Sequence, residues 1–135
     1  MHCSYIEIDL DALLHNFQRV RQLAPRAKIL AMVKANAYGH GLIAVAKTLT
    51  QADAFGVACL AEAWQLRRAG IKQAVVVMRG VYNAEELALA QQLNLELVIH
   101  QLEQLNLLEQ QGANNLTLWL KIDTGMHRLG FVAED

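Results

Sequence analysis

Five short apolar runs punctuate the chain, at residues 29–33, 54–58, 74–78, 95–99 and 116–122, starting about every 20 to 25 residues. Between them, residues 42–49, 60–69, 84–93 and 101–111 carry apolar side chains at helical spacing. That alternation predicts strand–helix units around a parallel sheet. The runs are nearly continuous in apolar character, which fits a sheet covered on both faces. Two α/β architectures satisfy the pattern. A doubly wound sheet of five strands is complete in 135 residues. A (β/α)8 barrel is not, because eight units need about 250 residues. Periodicity does not choose between them. The chain stops soon after the fifth run without a closing helix, which reads as an interruption rather than a finish.

Local signals sharpen the element assignments. Over residues 5–10, Ile6, Ile8 and Leu10 alternate with Tyr5, Glu7 and Asp9, predicting a half-buried opening strand. Leu10, Leu13, Leu14, Phe17, Val20 and Leu23 then recur at helical spacing, with Asp9 or Asp11 to cap the start and Pro25 to end it. Asn83 and Glu86 form a capping-box pair, and Gly70 and Gly112 stand where helices end on a left-handed residue.

Composition removes several function classes. Hydrophobic residues make up 54%, charged residues 19%, and there is one proline, so disordered and Pro-rich classes are excluded. A formal charge of −1 gives no reason to expect a nucleic-acid or anionic-membrane partner. No apolar run approaches the ~20 residues of a membrane-spanning helix, and the N-terminus lacks a secretory pattern. Cys3 and Cys59 have no ligand or redox spacing, and the five histidines form no metal motif. A cytoplasmic protein with no structural metal is expected.

Two stretches carry candidate chemistry. In Val33-Lys34-Ala35-Asn36-Ala37-Tyr38-Gly39-His40-Gly41, a lysine stands where an apolar strand stops. α/β proteins collect their active residues at that end. The lysine stem can simply lie along the rim with its ammonium in water. Alternatively, partial desolvation lowers its pKa enough for carbonyl attack, making it a Schiff-base lysine. Gly39-His40-Gly41-Leu42-Ile43-Ala44 imitates a dinucleotide fingerprint, but four residues separate its first glycine from Lys34. Glu62, at the right distance for a ribose acid, falls on a predicted helix. The two glycines are read instead as a tight turn. In Lys121-Ile122-Asp123-Thr124-Gly125-Met126-His127-Arg128-Leu129-Gly130, Lys121 and Asp123 share a strand face, which a solvated pair would also explain. Arg128 adds a planar fork suited to a carboxylate or phenolate oxygen. Trp64 and Trp119 are expected as packing residues. No nucleophile elbow or Walker loop is present.

Together these two stretches resemble the two signatures of the alanine racemase family. Ile6-Glu7-Ile8-Asp9-Leu10, the Asn16 region and Ala61-Glu62-Ala63 are similar to that family as well. The resemblance runs the whole chain. It implies a partial (β/α)8 barrel of about five units over residues 11–135, preceded by the opening strand within 1–10, which packs with a C-terminal β domain outside this chain. It further implies a pyridoxal 5'-phosphate enzyme that interconverts L- and D-alanine as a homodimer. Carried over by position, Lys34 is the cofactor-bearing lysine and one of two proton-transfer bases, and Tyr38 contacts the cofactor phosphate. Arg128 sits by the phenolic oxygen and the substrate carboxylate, and Lys121 supports Arg128. Members are well over twice as long, and the second base, a tyrosine from the partner subunit, lies in the remainder. The 135 residues alone are therefore expected to be weakly folded and inactive. The competing expectation is a non-catalytic barrel that carries the same cofactor.

Overall fold

A computed structural model describes residues 4–132. The order is α1 (Leu10–Leu23), β1 (Leu30–Met32), the short turn α2 (Lys34–Tyr38), α3 (Leu42–Thr48), β2 (Ala54–Val57), α4 (Leu60–Arg68), β3 (Ala74–Val77), α5 (Ala84–Gln92), β4 (Glu96–Ile99), α6 (Leu102–Gln110) and β5 (Leu118–Leu120). Each expected apolar run contains one strand, and each expected helix forms within a residue or two of its predicted bounds. Asp9 caps α1 by accepting hydrogen bonds from the Asp11 and Ala12 amides. Gly70 ends α4 at φ +83°, where the Ile71 amide reaches the Leu66 carbonyl in a Schellman closure.

The five strands pair in the order β1-β2-β3-β4-β5, all parallel. A doubly wound sheet reverses its strand order at a switch point, whereas a barrel adds each strand beside the last. Packing agrees. Phe55, Val57, Val75, Val77, Leu97 and Ile99 point into the main core with the buried faces of the helices. The opposite face gathers residues of the strands and their ends, Ala54, Val76 and Val98 with Leu30, Ala74 and Met78 against them. Helices thus cover one side and no helix contributes to the other, as in an open arc of a (β/α)8 barrel. Close approach on that inner side explains Gly56, where an added Cβ would strike the Met32 thioether.

Residues 4–9 have no regular structure, Leu10 belongs to α1, and Tyr5 and Ile6 are 85% and 87% exposed. The β domain with which the opening strand is expected to pair is not among these residues, and no strand among the described residues lies beside it. Neither tryptophan is buried. Trp64 is half-exposed beneath the Arg68 guanidinium, and Trp119 donates from Nε1 to Glu96 Oε2 at 2.6 Å on the inner side.

Candidate active site

Because every strand points the same way, all five C-terminal ends open on one rim. β1 reaches that rim with the Val33 amide bonded to the Gly56 carbonyl at 2.8 Å, and Lys34 follows. From Ala35 to Tyr38 the backbone is left-handed, with φ between 51° and 55° at four consecutive non-glycine residues. Such a conformation costs roughly 1–2 kcal/mol per residue and persists only where surroundings impose it. The restraints are visible. The Ala37 amide bonds the Val33 carbonyl at 2.7 Å, and Ala37 is buried. Asn36 Oδ1 accepts the Leu42 amide at 2.8 Å, which ties the turn to the first residue of α3. Gly39 and Gly41, at φ +89° and +95°, complete the turn expected of them. Glu62 Oε1 accepts the Ala35 amide at 2.7 Å, while its Oε2 accepts the Ala58 amide, also at 2.7 Å.

At the other end of the chain, β5 leads into a closed loop. The Asp123 amide donates to the Phe131 carbonyl and the Phe131 amide to the Lys121 carbonyl, with Phe131 buried beneath. Inside the loop, Asp123 Oδ1 accepts the Gly125 and His127 amides, both at 3.0 Å, and Oδ2 lies 3.2 Å from His127 Nδ1. The Gly125 amide, then the His127 amide, hold the Asp123 carboxyl below its usual range, with the His127 ring adding to them against a smaller opposing effect of burial. Gly130 closes the loop at φ +121°, where a Cβ would lie 2.8 Å from the Asp123 nitrogen.

These two constructions meet. Lys34 and Arg128 line one cavity of about 240 Å³, together with Ala58, Met78, Arg79 and Leu129. Tyr38 stands outside that lining and is 60% exposed. Lys121 is half-buried and makes no hydrogen bond to Arg128; its described bonds are those of its backbone at the loop's neck. Among the described residues no group of three or more His, Cys, Asp or Glu could hold a metal ion, and no helix is long and apolar enough to cross a membrane. The cavity instead brings together Lys34, Arg128 and an apolar wall, while the Arg79 guanidinium at its edge is paired with Glu86 at 3.1 Å. That donor set fits an anionic, ring-bearing aldehyde such as pyridoxal 5'-phosphate.

Sequence reasoning missed Arg79 in the cavity and Glu62 in the turn. A positional signal was present. Glu62, Glu86 and Gln104 are each the third residue of their helix, and each accepts the amide four residues earlier, of Ala58, Tyr82 and His100. Two of them also stitch their loop to the preceding one. Glu62 does so at Ala35, and Gln104 donates from Nε2 to the Arg79 carbonyl at 3.0 Å.

Comparison with known proteins gives one consistent result. The family described as "Alanine racemase, N-terminal domain" matches residues 8–135. An alanine racemase of Coxiella burnetii is 50% identical over 128 residues, covering 94% of this chain and 35% of the relative. One from Nitrosococcus oceani is 54% identical over 125 residues, covering 92% and 35%. Among solved structures, alanine racemase from Acinetobacter baumannii superposes with a TM-score of 0.87 at 43% identity, covering 93% of this chain and 36% of that one. The biosynthetic alanine racemase of Pseudomonas aeruginosa gives 0.86 at 44%, covering 92% and 35%. The chain thus spans about a third of the length of the relatives it matches.

Proposed function

This chain belongs to the alanine racemase N-terminal domain family, and from that premise we propose that it forms the lysine-bearing part of a pyridoxal 5'-phosphate enzyme that interconverts L- and D-alanine. The observation that carries the reading is the shared cavity of Lys34 and Arg128, drawn from the first and last strand ends. When bound, the cofactor supplies an aldehyde to the lysine amine and an electron sink for the charge left at Cα as its proton departs. Lys34 Nζ would hold that group and would also be the base that takes or returns the Cα proton on its own face. Arg128 would hold the cofactor's oxygen and the substrate carboxylate with its fork, and so would orient the substrate for loss of its Cα proton. Tyr38, exposed at the end of the turn, is assigned to the phosphate, and Lys121 to the support of Arg128 from the loop's neck.

Racemisation also needs a base on the opposite face. The cavity lining has no second candidate, since a guanidinium does not deprotonate and Ala58, Met78 and Leu129 have no titratable group. The reading therefore assigns the second base to a residue outside this chain, contributed across a homodimer. It also pairs residues 5–10 with a β domain, and it sets the protein in the cytoplasm, where the free thiol of Cys59 stays reduced.

Borohydride reduction of the protein with pyridoxal 5'-phosphate, followed by peptide mass analysis, tests the assignment. The cofactor is expected on the peptide containing Lys34 and absent from Lys34→Ala. Chiral analysis of alanine then separates a racemase from a cofactor carrier. Lys34→Ala should lower kcat by at least about 100-fold, the scale of general acid–base catalysis. Adduct formation elsewhere, or unchanged turnover without Lys34, overturns the reading.

A further inference from the structure

We infer that Glu62 is a positioning residue for Lys34: by binding the Ala35 and Ala58 amides with its two oxygens, it holds the left-handed turn that sets the direction of the lysine amine. The inference rests on the reading of Lys34 as the cofactor-bearing residue.

Ala35 is the first left-handed residue after Lys34, and its N–H lies in the peptide plane that begins at the Lys34 Cα, from which the side chain departs. Inside a right-handed helix or a strand ladder that N–H would have a backbone acceptor. Here its partner is a side chain from the next unit, on the third residue of α4. Both bonds are 2.7 Å, the short range of charge-assisted hydrogen bonds. The carboxylate also lies in the first turn of α4, where the helix dipole favours negative charge. Ala58, the other end of the clamp, itself lines the cavity with Lys34. One carboxylate therefore sets the spacing between two walls of the same site without reaching into it. The equivalent residues Glu86 and Gln104 make the same bond within their own loops, but neither reaches the segment that bears the lysine.

An amide in place of the carboxylate has one acceptor oxygen and would turn a donor toward the second N–H, so Glu62→Gln breaks the clamp at constant volume. The test uses the protein at its natural length with pyridoxal 5'-phosphate bound. In Glu62→Gln, borohydride should still fix the cofactor on Lys34, kcat should fall roughly 10- to 100-fold with a much smaller change in KM, and the circular dichroism of the bound cofactor should weaken. Asn83→Ala, which removes the cap of α5, serves as a stability control and should leave kcat and that band unchanged. If Glu62→Gln does not fold, hydrogen exchange in the unaltered protein decides. Ala35 is an exposed residue, so protection of its amide by more than about 100-fold reports the bond to Glu62. An unprotected Ala35 amide, or a Glu62→Gln protein with native kcat and dichroism, overturns the positioning role while leaving Lys34 in place. A cofactor adduct that survives in Lys34→Ala overturns the underlying reading instead.

Discussion

Arg128 offers five N–H donors in a rigid fork, and a lysine there would offer a point charge on a flexible stem. Arg128→Lys is accordingly expected to lower kcat/KM for alanine by roughly 10- to 100-fold, measured by chiral assay at saturating cofactor. Asp123 acts on the same loop through pH. Its folded-state pKa is depressed by the Gly125 and His127 amides. Its contribution is therefore complete above the unfolded carboxylate value near 4 and is lost as pH falls through the lower folded value. A carbon-13 titration should place the Asp123 midpoint below that of an unstructured aspartate. Lys34 and Arg128 were both legible in the sequence, because each sits in a dense, chemically specific motif. Glu62 was visible, set aside as a ribose acid because it falls on a helix and noted within Ala61-Glu62-Ala63, but it was given no role. Its partners are backbone amides, which leave no trace in side-chain spacing.

Whole elements were legible wherever hydrophobic period decided them, and helix ends followed their glycines and caps. The left-handed turn was not. Ala35, Asn36, Ala37 and Tyr38 have no shared preference for positive φ, and tertiary bonds impose it. The opening segment alternates cleanly, but no strand among the described residues lies beside it. Two expectations belong at this scale. Arg67 fastens the end of α4 to the Leu93, Ile71, Gln73 and Asn94 carbonyls, each within 2.8–3.1 Å. An ammonium cannot span them, so Arg67→Lys should cost about 2 kcal/mol, read as a lower urea midpoint at unchanged slope. Gly80 sits at φ +69° with the Val98 carbonyl 2.5 Å from where a Cβ would stand. Gly80→Ala should therefore destabilise by about 2–3 kcal/mol in the same measurement.

At the scale of the molecule, strand order was what periodicity could not supply. Both candidate architectures share the same units, and only the pairing β1-β2-β3-β4-β5 separates them. The sheet leaves β1 and β5 with one partner each, and Leu118, Trp119 and Leu120 are between 44% and 64% exposed. Unpaired edges of this kind invite association between chains. A polypeptide of these 135 residues by itself is expected to self-associate and to leave L-alanine unracemised, checked by light scattering and chiral chromatography. Normal turnover from it would show that a second base exists among these residues.

The stitch from α4 back to Ala35 also has a direction in time. A ribosome delivers the lysine well before it delivers the carboxylate that shapes the lysine's turn. Until the second unit has emerged and coiled, the Ala35 amide beside Lys34 lacks the acceptor it has in the folded chain. Its geometry is conferred retroactively, by a part of the polypeptide synthesised later.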